Sequence, residues 1–389
     1  MAPEVYNIAQ APITAHAFNA DRSQVAVSLN SNTAQILQRS GNEWTAIETL
    51  SEHDKLITSI DWAPNSNRIV TASQDRNAYV WQETPDPETG RLVWKPTLVL
   101  LRINRAATVV RWSPKEDKFA VGSGARAIAI CSFDPENNWW VSKLLKKPIR
   151  STVLSVDWHP NNVLLAAGSA DMKARVFSAY IKEVDEKCAR PTVWGSKLPF
   201  NTLCGEYASP AGGWVHGVSF APSGDALAFV SHDSSISVVY PASNAIYNIR
   251  ISSLPFVTLA WTSENSVVAA GHDCHPVVFQ GDEAQGWAGA GTLDDMKSIA
   301  AGAGAARPGR LNSGAFNVFK SADSRGQAAA AGSQGLTKLP TVHQNTITSV
   351  RLYDPSGAQV STSGVDGNLV IWDATNVTVL EKQMAGMHM

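Results

Sequence analysis

The chain repeats itself, and this repetition limits its fold more than any other feature of the sequence. Seven segments share one pattern: a large apolar residue, a turn, an alternating apolar stretch, a second turn and a closing apolar run. DWAPNSNRIVTASQDRNAYVW, from Asp61 to Trp81, shows the pattern best. The first large residue of the seven segments is, in chain order, Phe18, Trp62, Trp112, Trp158, Phe220, Trp261 and Leu352.

The spacing of these residues identifies the kind of repeat. The successive intervals are 44, 50, 46, 62, 41 and 91 residues, so a base period of about 40–45 residues is interrupted by two insertions. Alternation within a unit indicates strands, and runs such as PNSN and PSGD indicate turns. Four short strands at this period are typical of WD-type β-propeller blades. We therefore predict an all-β fold, a single seven-bladed WD40 β-propeller spanning residues 1–389.

Two units contain a full set of His, Thr, Asp and Trp with identical Thr–Asp–Trp offsets. We expect each set to form a buried hydrogen-bond relay that gives every polar group a partner. A catalytic His–Asp pair is the alternative, but an enzyme would also need a nucleophile or a cleft and would not need the set twice. The sets are His53, Thr71, Asp75 and Trp81 in the second unit and His343, Thr362, Asp366 and Trp372 in the seventh.

The other five units lack this set. Three of them keep only the Asp, as Asp171, Asp233 and Asp273, whereas the first and third units have Ser31 and Ala125 at that position. We expect these five blades to rely on packing alone.

A propeller must join its first and last blades, because otherwise sheet edges stay open. The apolar segment EVYNIAQ precedes the first repeat, and we predict that it supplies the outer strand of the seventh blade. NVTVLEK, from Asn376 to Lys382, is the alternative donor.

Two insertions interrupt the repeat. The first, roughly Ser178–Gly213, is a turn-rich segment with a Trp and a Phe that must be buried somewhere. The second, residues 281–340, is rich in Ala and Gly, a composition that cannot bury enough apolar area to order itself. We predict a flexible insertion that carries a short helix near residues 312–323, where Phe316 and Phe319 would meet a partner; the alternative is that they fold back on the propeller rim.

Composition excludes several classes of function. The 32 Lys and Arg nearly balance the 34 Asp and Glu, whereas nucleic-acid binding usually needs a basic surplus; we expect no nucleic-acid partner. No apolar run approaches the ~18 residues of a membrane span. The four scattered cysteines suit a reduced cytosolic compartment. We expect no cofactor and no metal, because the HDCH run at residues 272–275 falls on a tight turn whose side chains cannot all face one ion.

Basic residues concentrate around KLLKKPIR in the third unit. A solvated rim is the simple interpretation, and a docking patch for an acidic protein segment is the alternative. The patch consists of Arg102, Arg105, Lys143, Lys146, Lys147 and Arg150.

Several long strings, including their turns, resemble one family. DWAPNSNRIVTASQDRNAYVW, LRINRAATVVRWSPKEDKFAVGSGAR and NNWWVSKLLKKPIRSTVLSVDWHPNNVLLAAGSAD are similar to the WD-repeat subunit 1 of the actin-related protein 2/3 complex. The resemblance covers nearly the whole chain and is weakest in the Ala/Gly-rich insertion. A generic WD-repeat adaptor of another assembly, and a propeller enzyme with a metal in its channel, are the competing hypotheses.

The resemblance implies a non-catalytic scaffold subunit of the complex that nucleates branched actin filaments, located in the cytoplasm at actin structures. Its expected partners are the other subunits, the mother actin filament and nucleation-promoting factors, whose acidic tail would meet the basic patch. A protruding helix of the insertion would touch actin. The insertion residues assigned to this contact are Leu311, Phe316, Phe319 and Lys320.

Overall fold

The computed structural model describes residues 2–186, 191–196, 198–294 and 339–378. Within these ranges every regular element is a β-strand, and the strands form seven four-stranded antiparallel sheets. The seven-bladed propeller predicted from the repeat is therefore confirmed. The predicted helix near residues 312–323 lies outside the described residues.

The chain begins with β1 (Glu4–Asn7), which belongs to the last blade, and then builds blades 1 to 3 from the inside outwards. Blade 1 contains β2 (Ala15–Phe18), β3 (Gln24–Ser28), β4 (Ala34–Ser40) and β5 (Glu43–Leu50). Blade 2 contains β6 (Ile57–Ala63), β7 (Arg68–Ser73), β8 (Asn77–Pro85) and β9 (Leu92–Leu100). Blade 3 contains β10 (Ala107–Trp112), β11 (Lys118–Ser123), β12 (Ala127–Asp134) and β13 (Trp139–Leu145).

Blades 4 to 7 follow the same order. Blade 4 contains β14 (Val153–Trp158), β15 (Leu164–Ser169), β16 (Lys173–Ser178) and β17 (Leu203–Ala208). Blade 5 contains β18 (Val215–Phe220), β19 (Leu227–Ser231), β20 (Ser235–Tyr240) and β21 (Ala245–Arg250). Blade 6 contains β22 (Phe256–Ser263), β23 (Ser266–Gly271), β24 (Val277–Asp282) and β25 (Gly286–Thr292). Blade 7 contains β26 (Ile347–Leu352), β27 (Gln359–Gly364) and β28 (Asn368–Asp373), with β1 as its outer strand.

The N-terminal strand closes the ring. β1 pairs antiparallel with β28, with Val5 opposite Val370 and Tyr6 opposite Leu369. The predicted N-terminal closure is thus confirmed. The alternative donor segment, which begins at Asn376, contacts blade 6 instead. Thr378 exchanges two backbone hydrogen bonds of 2.9 Å with Thr292, so the chain that leaves blade 7 attaches to the outer edge of blade 6.

The second insertion is shorter than predicted. Residues assigned to it form the end of β24 and all of β25, so it begins after Asp294. The glycines there have a packing reason: a Cβ at Gly281 would overlap the backbone of Gly286, and one at Gly291 would overlap that of Thr378. Glycine at these two positions therefore reflects close backbone approach and not a composition that cannot order itself.

The apolar core lies between the blades. Each of the seven interfaces between neighbouring blades contains a cluster of buried apolar side chains. In the first insertion, Trp194 is buried against Phe220 and donates its indole N–H to the carbonyl oxygen of Gly224 at 2.8 Å. The first strands of all blades surround a central channel of about 960 Å³.

Candidate functional site

The polar set of blade 2 forms a continuous relay. Nδ1 of His53 lies 2.7 Å from the carboxylate of Asp75, and Nε2 lies 2.8 Å from the hydroxyl of Thr71. The same hydroxyl accepts the indole N–H of Trp81 at 2.9 Å. Burial lowers the pKa of His53, although its hydrogen bond with Asp75 opposes the shift. A neutral ring then donates to Asp75 and accepts from Thr71, and the relay contains no free reactive group.

The set of blade 7 repeats this arrangement. His343 Nδ1 lies 3.1 Å from both carboxylate oxygens of Asp366, and Nε2 lies 2.7 Å from the Thr362 hydroxyl. Trp372 donates its indole N–H to Thr362 at 2.8 Å. Burial alone would raise the pKa of Asp366, but the hydrogen bond and charge of His343, together with the backbone N–H groups of Gln344 and Asn368, outweigh burial and lower it.

The expectation that the other blades rely on packing alone is wrong for those that keep the Asp. In all five blades with an Asp at this turn, the carboxylate accepts a backbone N–H from the loop that enters the blade, at 2.7–3.2 Å. This bond fixes the loop whether or not a His is present. The pairs are Asp75 with Asp54, Asp171 with Arg150, Asp233 with Ala211, Asp273 with Leu254, and Asp366 with Gln344.

Two channel carboxylates that the sequence analysis did not single out connect neighbouring blades. Asp61 accepts the backbone N–H of Trp112 at 2.7 Å, and Asp157 accepts that of Phe220 at 2.8 Å. Burial raises the pKa of Asp157 to about 6. The sequence contains a signal that could have identified both residues, because each Asp directly precedes the first Trp of its repeat. Arg351 from blade 7 also contacts Asp61 at 2.5 Å across the channel.

The basic residues of the predicted patch divide into two groups. Arg102, Lys146 and Lys147 line a groove of about 600 Å³ between the two loops that flank blade 3. Arg105 and Arg150 are exposed on the same loops but do not line it. Lys143 lies apart on β13, where its ammonium group contacts Glu183 at 3.1 Å.

We call this feature the basic groove. Arg126, on the turn between β11 and β12, also lines it and was missed, because in the sequence it lies apart from the other basic residues of the patch. The floor contains Ile103, Leu144 and Ile149, and none of the lining residues is acidic. A groove with cationic edges and an apolar floor can accept an extended acidic segment.

The four insertion residues, Leu311, Phe316, Phe319 and Lys320, lie outside the described residues. The structure describes where the insertion leaves and rejoins the propeller. Asp294 is 1% exposed, and its carboxylate accepts the backbone N–H of Val342 at 2.8 Å. The two ends of the insertion are therefore held together at the outer edge of blade 6.

In the described ranges, no group of three or more His, Cys, Asp and Glu side chains is arranged to hold a metal ion. No helix in the same part of the chain is long and apolar enough to cross a bilayer.

Comparison with known proteins agrees with this architecture. The family model "WD domain, G-beta repeat" matches residues 44–82, 143–178 and 336–373. The first two matches start within the outer strand of one blade, and all three end within or at the end of the third strand of a blade. The sequence repeat is therefore offset from the blade by one strand.

Relatives similar over nearly their full length share one name. Actin-related protein 2/3 complex subunit 1 of Schizosaccharomyces pombe is 49% identical over 385 residues, covering 95% of this chain and 98% of the relative. Subunit 1A-B of Xenopus laevis is 51% identical, covering 93% and 94%. Subunit 1B of Arabidopsis thaliana is 40% identical, covering 96% and 97%. The chain therefore belongs to the family of actin-related protein 2/3 complex subunit 1.

Proposed function

We propose that this chain is a non-catalytic scaffold subunit of the actin-related protein 2/3 complex, which nucleates branched actin filaments. The observation that carries the proposal is the 49–51% identity to subunit 1 relatives over more than nine-tenths of the chain. The two relays support a structural role, because each side chain in them is hydrogen-bonded to another member.

Affinity purification of the tagged chain from its own cells tests this proposal. We expect two actin-related proteins and four small subunits to co-purify in fixed proportion. Recovery of the chain without them, or with an unrelated assembly, would overturn the proposal. The same tagged chain should be found in the cytoplasm at actin structures.

The basic groove is the surface that we assign to the acidic tail of nucleation-promoting factors. Its cationic edges come from Arg102, Arg126, Lys146 and Lys147, and an acidic segment would neutralise them. Electrostatic attraction of this kind mainly accelerates association and weakens with salt.

The insertion is the segment that we assign to the mother filament. Its two ends meet at Asp294 and Val342, at the outer edge of blade 6. A loop that leaves the propeller at one point can reach a neighbouring protein without disturbing the blades. Phe316 and Phe319 would supply the apolar part of this contact, and Leu311 and Lys320 the remainder.

A further inference from the structure

Two histidines meet at the mouth of the central channel in blade 5. His216 is the second residue of β18, and His232 follows the end of β19. Val215 pairs with Ser231 and Gly217 pairs with Val230, so His216 is the extra residue of a β-bulge at this end of the strand pair. Trp214 is 53% exposed and packs against both rings.

The two imidazole rings face each other through nitrogen atoms. Nε2 of His216 lies 2.9 Å from Nδ1 of His232, with an angle of 59° between the ring planes. One ring must donate in this contact and the other must accept. The outer nitrogens, Nδ1 of His216 and Nε2 of His232, have no hydrogen-bond partner among the residues that the structure describes.

This spacing matches two ligands of one metal ion. Metal–imidazole bonds of about 2.0–2.1 Å at a right angle place the two nitrogens roughly 2.8–3.0 Å apart. At the tetrahedral angle, the same bonds place the two ligand nitrogens roughly 3.3–3.4 Å apart. Tetragonal geometry with nitrogen and oxygen ligands is typical of Cu²⁺ and Ni²⁺. We propose that His216 and His232 form a two-histidine site for Cu²⁺ or Ni²⁺ at the mouth of the channel.

Binding requires a change of tautomer and a rotation of both rings, because the present hydrogen bond directs the two nitrogen atoms at each other. The ring that donates in the present contact would move its proton to its outer nitrogen, which frees the inner lone pair for the metal. Both rings stay neutral, and no proton is released. Metal bonds would then replace the hydrogen bond between the rings, after small rotations of two side chains that lie at an accessible mouth.

Water would complete the coordination. The carboxylate of Asp233, next to His232, already accepts from Ser209, Ala211 and Ser235. His272 uses Nδ1 for a contact of 3.1 Å with the Thr346 hydroxyl. With two protein ligands the site would be labile, since the described residues offer no group of three or more ligands.

Calorimetric titration of the full-length chain with NiCl₂ in a non-coordinating buffer tests the site. We expect one equivalent of Ni²⁺ to bind, and the affinity to fall about tenfold or more in His216→Gln and in His232→Gln, since even second-layer changes at metal sites cost that much. His275→Gln is the matched control, because it lies on the HDCH turn of the neighbouring blade. Unchanged affinity in both variants, or an equal loss in the control, would overturn the proposal.

A second measurement locates the ion directly. Cu²⁺ bound between the two rings should quench the fluorescence of Trp214, which contacts both. The saturable part of the quenching should disappear in Trp214→Phe while the calorimetric affinity persists. Quenching that is the same in Trp214→Phe and in the wild type would place the ion elsewhere and reject the site. His232 is exposed, so His232→Gln should fold even if His216→Gln does not.

Discussion

The carboxylate of Asp75 lies 2.7 Å from Nδ1 of His53, and it also accepts the backbone N–H of Asp54 at 3.2 Å and of Asn77 at 2.8 Å. One side chain thus fixes a ring, a loop and a turn. Asp75→Ala should lower the free energy of unfolding by about 1–3 kcal/mol, because it leaves buried donors unpaired. Asp54→Ala, at the exposed neighbour, should change it little. Urea denaturation measures both, and equal effects would contradict the relay.

Acid should destabilise the propeller through His16. This ring is fully buried between Ser361 and Ser363 of blade 7. Burial, followed by the charges of Arg351 and Arg111 and by His343, lowers its pKa well below the usual value.

The sign of the effect follows from proton binding. Below the ordinary histidine pKa of about 6.5, this histidine binds a proton in the unfolded chain but stays neutral in the folded chain. Its contribution to the free energy of unfolding is therefore fully present above that pH and is lost as the pH falls. For one histidine, the free energy of unfolding falls by about 1.4 kcal/mol for each pH unit in this range. His16→Gln should reduce the loss of melting temperature between pH 7.5 and 5.5, whereas the exposed His272→Gln should not. A steeper loss in His16→Gln would refute this origin.

Closure of the ring should depend on Tyr6. Its side chain is 5% exposed, packs against Trp44, and its hydroxyl hydrogen-bonds Glu4 and Arg39. Tyr6→Ala should cost about 3–5 kcal/mol, as for other large aromatic core residues. Val5 lies on the same strand but is 47% exposed, so Val5→Ala should cost less than about 0.5 kcal/mol. Thermal or urea unfolding compares the two, and similar losses would mean that general strand propensity, not this contact, closes the ring.

The sequence predicted those features whose signal lies within one repeat. Thr71, Asp75 and Trp81 belong to one short stretch, so their spacing identified the blade and its relay. Apart from the closure of blade 7 by the N-terminal strand, features that join separate repeats were missed. Asp61 bonds to Trp112 fifty-one residues away, and Arg126 joins Lys146 only because a turn and a loop meet at the end of blade 3. Gly291 was assigned to the Ala- and Gly-rich insertion, because the backbone that requires a glycine there, at Thr378, is far away in the sequence.

The basic groove should bind an acidic peptide from the tail of a nucleation-promoting factor. Lys146→Glu with Lys147→Glu reverses two charges in the groove and should weaken binding about tenfold or more, mainly by slowing association. Arg126→Glu should act in the same direction. Lys143→Glu is the matched control, because Lys143 lies outside the groove and pairs with Glu183. Surface plasmon resonance at two salt concentrations measures this, and an equal effect of all three changes would indicate unspecific attraction.

The insertion should matter for branching and not for assembly. Phe316→Ala with Phe319→Ala removes two large apolar side chains from the segment that we assign to the mother filament, and contacts of this kind often dominate an interface. The variant complex should purify intact, because the strands of all seven blades lie outside residues 295–338. Branches counted by fluorescence microscopy should form more slowly or detach sooner.

The control for this variant is Asp294→Ala, which breaks the bond that holds the two ends of the insertion together at Val342 and leaves both Phe in place. If the ends must be held for the segment to reach actin, this change also lowers branching, but to a smaller extent than loss of the Phe side chains. Wild-type branching in the double Phe variant would show that the filament contact lies elsewhere on the chain. Loss of other subunits from that variant would instead make the insertion part of the assembly surface.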